Sequence, residues 1–431
     1  MAYFSRLMVR TILGALVLAP AAAHGQSSAP ASQDRQGYFR LQDGPWDGSE
    51  DKKAARQIPA MAVRPARSDL AQAPATPPRG RVRIQGRTVA EPPVPLPAPP
   101  GLDVDIRNQM RKFVQSISKF TRRYNRNFGV IAQGGLELLI KRDPVVGTRI
   151  SPARAYIRSI DGVIKDGLFF GKRVFGEPPP EEILARHLRL TDIAKDNGLR
   201  VLVVDYGTDP KTADESRRRN KEKGYVSITV PAPLADLNSL PSYPRRPYGE
   251  NARSILSLKD VSNFAYISDS AAFGQADEFA LKMHDTNYDL LIVDVFHGRE
   301  PLGKQAVATL KYKKLGARRL VYATVDVGAA ASFRYYWKAN WGEGSPMWIK
   351  APVRDDPDSY HVEFWRPEWQ RIIAGDTQSY VYGIIAQGFD GVVLTGIEEA
   401  YRFFEGAEEQ EEEPTAAAPA ATPVPAPAPG Q

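Results

Sequence analysis

Polar side chains recur where short apolar runs of this chain end. Gln133 closes Phe128–Gln133, Asp161 follows Ala155–Ile160, Asp205 lies at the end of Arg200–Tyr206, Asp294 near the end of Asp289–Phe296, and Asp326 closes Arg318–Asp326. Carboxylates gathered at one rim can divide the work of glycoside hydrolysis: one protonates the leaving oxygen while another activates water or attacks the sugar. An Asp after an apolar run can instead cap the following helix or satisfy turn amides. Three on successive rims favour a shared site, so Asp161, Asp205 and Asp294 are expected around one mouth. Asp294 is a candidate catalytic acid, with Asp205 or Asp326 as its partner, and Gln133 and Asp161 are candidate substrate-binding residues.

A second cluster is aromatic. Tyr335, Tyr336, Trp337, Trp341, Trp348, Phe364, Trp365 and Trp369 crowd a stretch of fewer than forty residues, with Arg334 leading in. Sugar rings stack their apolar faces on such side chains, and a planar guanidinium such as that of Arg334 reads hydroxyls. Packing of a long loop accounts for most of these rings. Tyr335, Trp337 and Trp341 are the candidates for exposed platforms. His24, His187, His284, His297 and His361 lack metal-ligand spacing, cysteine is absent, and no Gly-rich phosphate loop occurs. Neither a metal nor another cofactor is therefore expected.

The elements that must position these groups read as repeated strand–helix units. Besides the five runs above, Tyr225–Val230, Asn263–Ser268 and Gly391–Thr395 are candidate strands, which makes eight. Eight parallel strands with intervening helices predict an α/β fold, a TIM (β/α)8 barrel, whose active site lies at the strand carboxyl ends. An open doubly wound sheet gives the same alternation. Ahead of the first strand, Ile106, Met110, Phe113, Ile117, Phe120 and Tyr124 recur at helical spacing, predicting an amphipathic helix within 101–126 that covers one end of the core.

Outside 127–407 the composition changes. Arg6 and Arg10 precede a short apolar run and a small-residue stretch, the pattern of a secretory signal over 1–25. Residues 26–100 are rich in Pro and Ala, and 408–431 are acidic and then Ala/Pro-rich, so both flanks are expected to be disordered. A secreted or periplasmic protein with no membrane segment after signal cleavage follows. The formal net charge of +7 over 431 residues is spread along the chain. Without a basic block interleaved with aromatics, nucleic acid is not an expected partner.

The stretches Asn287–Phe296, Ser332–Trp337, Val362–Gln370 and Gly388–Leu394 together resemble glycoside hydrolase family 114, the endo-α-1,4-polygalactosaminidase-like TIM barrels. The resemblance runs upstream through Ile160–Val163 and Val201–Tyr206, covering nearly all of 127–404. It implies an amino-sugar polysaccharide as substrate and Asp294 as one catalytic acid. Where relatives read Ser-Ile-Gly-Glu-Ala-Glu, this chain reads Asp326-Val327-Gly328-Ala329-Ala330-Ala331; Thr395 and Arg366 also replace family aspartates. Three outcomes stay open: a hydrolase that recruits another rim carboxylate, a polysaccharide binder with little or no turnover, and an envelope scaffold.

Overall fold

The computed structural model describes residues 104–142, 150–171, 174–354 and 356–406. The expected leader, linker and C-terminal tail lie outside the described residues. Eight parallel strands form the centre: β1 (Gly129–Gln133), β2 (Gly162–Asp166), β3 (Arg200–Tyr206), β4 (Val226–Val230), β5 (Phe264–Ile267), β6 (Leu290–Asp294), β7 (Leu320–Asp326) and β8 (Gly391–Thr395). Their order in the sheet is β4-β3-β2-β1-β8-β7-β6-β5. The edge strands β4 and β5 touch without a hydrogen-bonded ladder, so the barrel is nearly closed.

Alternation along the strands sorts the core into two layers. Ile131, Ile164, Leu202, Val226, Phe264, Leu290, Leu320 and Val393, one from each strand, meet in the barrel interior. Their neighbours Val130, Val163, Val201, Ala265, Leu291, Val321 and Val392 face outward. Both faces being apolar, the strands read as nearly continuous Val/Ile/Leu runs. A doubly wound sheet would have no such enclosed layer.

The outer layer is made by α1 (Ile106–Tyr124), α2 (Arg154–Ile157), α3 (Glu181–Asp196), α4 (Pro210–Lys223), α5 (Ala276–His284), α6 (Lys304–Leu310), α7 (Pro367–Ala374), α8 (Tyr380–Gln387) and α9 (Ile397–Glu405). α1 starts at Asp105, whose side chain accepts from the Asn108 amide, and ends on Arg122 and Arg123, complementing the helix dipole. The expectation that it covers one end of the core is corrected. Met110, Phe113, Val114 and Ile117 are fully buried in the outer layer, none enters the barrel interior, and α1 packs on α2, α7, α8 and α9.

Two further departures bear on function. The second strand is Gly162–Asp166, whereas Ala155–Ile160 holds α2 and a turn. Between β4 and β5 no α-helix forms; a chain with 3-10 turns at Leu234–Asp236 and Leu258–Asp260 crosses the seam instead. After β7 the chain makes a three-stranded antiparallel insertion from Ala329–Ala331, Ile349–Val353 and Asp356–Val362 before entering α7.

Candidate functional site

Parallel register brings like ends of the strands together, and this separates two sets of aspartates. At the amino ends, Asp161, Asp289 and Asp390 each stand one residue before a strand. The Asp161 carboxylate accepts from the Val130 amide at 2.8 Å and pairs with Arg122 at 3.1 Å. Asp289 accepts from the Ser262 amide and pairs with fully buried Lys313 at 2.6 Å. Asp390 accepts from the Val321 amide and pairs with Arg318 and Lys311. Each acid fixes the start of a neighbouring strand and has its own cation. This face of a barrel serves stability.

The expectation of Asp161 in the mouth is therefore corrected: with β2 beginning at Gly162, Asp161 lies at the opposite end of the barrel from Asp294. Asp205 is also displaced. Its neighbours Val204 and Tyr206 point inward, so it points outward toward α4 and is fully buried. There it accepts from the Phe169 and Phe170 amides, from Ser216 Oγ at 2.6 Å and from Asn220 Nδ2 at 3.0 Å. Burial raises its carboxyl above the usual range. Asp205 is a buried brace between β3 and α4, out of reach of a ligand in the mouth.

At the carboxyl ends the inward positions carry Gln133, Asp166, Tyr206, Tyr266, Asp294, Asp326 and Thr395. Asp166 and Tyr266 carry no expectation from the sequence. Inward alternation from Ile164 to Asp166, with the strand start placed at Gly162, is the signal that finds the first. Tyr206 donates to Asp166 Oδ2 at 3.1 Å, and Tyr266 donates to Gln133 Oε1 at 3.0 Å. Burial, then the fields of Asp166 and Asp294 and, more weakly, Asp326, push the Tyr266 phenol well above its ordinary value. Three carboxylates, from β2, β6 and β7, thus share the carboxyl-end rim with Tyr266.

Two of these acids differ in surroundings. Asp294 receives Arg334 across 2.6 Å, and its other oxygen accepts from the Phe296 amide at 3.0 Å. Asp326 is exposed to solvent at the end of β7, with its carboxylate close against Gly396. Desolvation by the protein around it raises its carboxyl, against the pull of the Ala329 and Gly328 amides that donate to Oδ1 at 2.8 Å each. Such a group holds a proton to higher pH than an ordinary carboxyl does, which suits it to give that proton away. Tyr336 and Tyr380 each lie in the fields of both Asp294 and Asp326.

The insertion after β7 supplies Arg334 and the aromatic cluster. Tyr335 stacks on Tyr380 at 5.7 Å, Tyr336 meets Trp369 edge-on, Trp337 stacks on Tyr360 at 5.2 Å, and Trp341 lies edge-on to Trp337 and Trp348. Tyr335, Trp337 and Trp341 are half-buried in these contacts. Ala329 and Ala331 occupy the strand that pairs with His361 and Ser359, and Thr395 lies beside Asp326 in register. Glu398 occupies the first turn of α9, accepting from the Gly135 amide and pairing with Arg402. Among the described residues no His, Cys, Asp or Glu cluster could hold a metal ion, and no helix is long and apolar enough to cross a membrane.

Comparison with known proteins finds uncharacterized relatives. A protein of Methanocaldococcus jannaschii is 30% identical over 155 residues, 35% of this chain and 41% of that protein. One from Deinococcus radiodurans is 31% identical over 120 residues, 28% of this chain and 36% of its relative. A third, from Thermotoga maritima, is 26% identical over 118 residues, 27% and 35% of the two chains. The chain thus matches well under half the length of each. No family model matches it.

Proposed function

We propose that the barrel mouth is a polysaccharide site of the glycoside hydrolase family 114 type, in an exported protein that binds a galactosamine-containing polymer and cleaves it slowly or not at all. The observation that carries this reading is the placement of Asp166, Asp294 and Asp326 at inward positions on the carboxyl ends of three strands of one barrel. A mouth lined by three carboxylates attracts a cationic amino sugar even on a chain of net positive charge. Neutral hydroxyls and the Gln133 amide supply the directional contacts that sugar hydroxyls require.

Roles follow from the surroundings of each acid. Asp326, whose carboxyl is raised, is the group suited to protonate a glycosidic oxygen. Asp294 is already engaged by Arg334 and the Phe296 amide, which suits it to hold a substrate polar group rather than to attack. Asp166 stands across the barrel, accepting from Tyr206 and paired with Lys165 at 3.9 Å, and adds its negative charge to the rim. A two-carboxylate mechanism needs a partner for the proton donor. Where the family 114 pattern has acids this chain has Ala329, Ala331 and Thr395, so on this reading binding outlasts turnover.

The test is to incubate the protein with partially deacetylated polygalactosamine and to measure binding and new reducing ends together. Binding with few or no new ends is expected. Thr395→Asp, which sets a carboxylate beside Asp326 in register, together with Ala329→Glu, should raise turnover at least tenfold. Rapid cleavage by the unaltered chain that persists in Asp294→Asn would refute the assignment of roles, and absence of binding would refute the site itself.

A further inference from the structure

We propose that the cleft where Lys195, Arg200 and Lys259 meet, at the amino ends of the strands, binds a phosphate group, free or carried as a monoester on a larger molecule. This stands apart from the reading of the mouth and does not depend on it. The cleft encloses about 530 Å3 open to solvent, and every ionisable side chain lining it is basic.

Each cation arrives from a different element. Lys195 lies in the last turn of α3, Arg200 is the first residue of β3, and Lys259 belongs to the 3-10 turn Leu258–Asp260 that crosses the seam. Glycines at two turns, Gly198 after α3 and Gly224 after α4, complete the wall with left-handed backbone, φ 83° and 75°. A Cβ at Gly224 would lie 3.3 Å from Lys195 Nζ, so the bare backbone leaves room for the ammonium over this turn. Lys195 Nζ donates to the Lys223 carbonyl at 2.6 Å, which holds it against the wall. By alternation with Leu202 and Val204, Arg200 points inward, and its Nη2 donates to the Val261 carbonyl on the seam crossing. Its Nε is buried with no partner.

The bland reading of such cations is that they serve the fold. At the other amino-end positions cations do so through dedicated acids: Arg122 with Asp161, Lys313 with Asp289, Arg318 and Lys311 with Asp390. The cleft departs from that pattern. Among the described residues none of Lys195, Arg200 and Lys259 has a carboxylate within ion-pairing distance, the nearby Asp192 being taken by Lys223 and Tyr225. Asp260 and Asp289 act on Arg200 only from further off, and burial outweighs them in lowering its pKa. Three unneutralised cations and an unpartnered buried N–H form a site that lacks its anion. A phosphate dianion brings two charges and several acceptor oxygens, enough for two ammonium groups and a guanidinium, where a carboxylate brings one charge and two oxygens. Lys195, Gly198, Gly224 and Lys259 are exposed, so the opening admits a phosphate attached to something larger.

Calorimetric titration of the full chain with inorganic phosphate and with glycerol 3-phosphate, at fixed pH and ionic strength, tests this. Saturable one-to-one binding is expected for at least one of the two, and the tighter identifies the source of the group. The ligand should also raise Tm above its value in chloride of equal ionic strength. Lys195→Met combined with Lys259→Met should weaken binding about tenfold or more, with Tm in chloride nearly unchanged because both side chains are exposed. Lys112→Met combined with Lys119→Met removes the same charge from exposed positions of α1 and should leave affinity within about twofold. Absence of saturable binding by both ligands would overturn the proposal. So would undiminished binding in the Lys195/Lys259 variant, or equal weakening in both double variants, which would show attraction by diffuse surface charge.

Discussion

Asp205 and Asp326 show how little an isolated Asp after an apolar run reveals. Both follow Val in such runs, but one residue of parity sends Asp205 into a closed network under α4 and Asp326 into the open mouth. Losing the Asp205 carboxylate leaves two backbone amides, Ser216 and Asn220 without their acceptor. Asp205→Ala should cost about 3 kcal/mol of stability, read by denaturant unfolding. Asp326 works in the opposite sense. Folding raises its carboxyl, so this group favours the folded state at low pH and opposes it as pH climbs through the folded value. Asp326→Asn keeps an oxygen for the Gly328 and Ala329 amides. It should raise Tm at pH 7, with the gain vanishing near pH 3, and would remove the proposed proton donor. A lower Tm at pH 7 would show that the carboxylate is structural.

At the scale of elements, seven of the eight strands lie within a few residues of where the β-branched runs placed them, because strands apolar on both faces leave an unbroken signal. The second strand did not, and the error moved the site. Ala155–Ile160 is as apolar as a strand but forms α2, whereas β2 contains Lys165, which obscures its pattern. Placing the strand one segment early exchanged Asp161 for Asp166 and confused a strand-start clamp with a rim acid. The apolar periodicity of α1 was fully legible; the surface it covers was not, since periodicity fixes a buried face and not its partner. The amino-end clamps make their own prediction. Lys313→Met leaves Asp289 buried without its cation and should cost about 3–5 kcal/mol, measured by thermal or denaturant unfolding. No effect on glycan binding should follow beyond that loss.

For the whole molecule, the proposed site would set recognition at the carboxyl ends of the barrel, apart from the stabilising clamps at the amino ends. Asp161, Asp289 and Asp390 with their cations hold the amino ends, and Asp166, Asp294 and Asp326 occupy inward positions at the carboxyl ends, the first two paired with Lys165 and Arg334. Because the chain as a whole is positive, the proposed attraction of a cationic polymer would be local to the mouth. Its affinity should fall several-fold between 50 and 500 mM salt. The most direct measurement of this division compares Asp166→Asn, Asp294→Asn and Asp161→Asn for Tm and for affinity toward partially deacetylated polygalactosamine. The two mouth variants should each lose about tenfold or more in affinity with Tm nearly unchanged, and Asp161→Asn should lower Tm while the folded protein binds as before. Undiminished binding by both mouth variants, or loss of binding confined to Asp161→Asn, would contradict the assignment of the site to the carboxyl ends of the barrel.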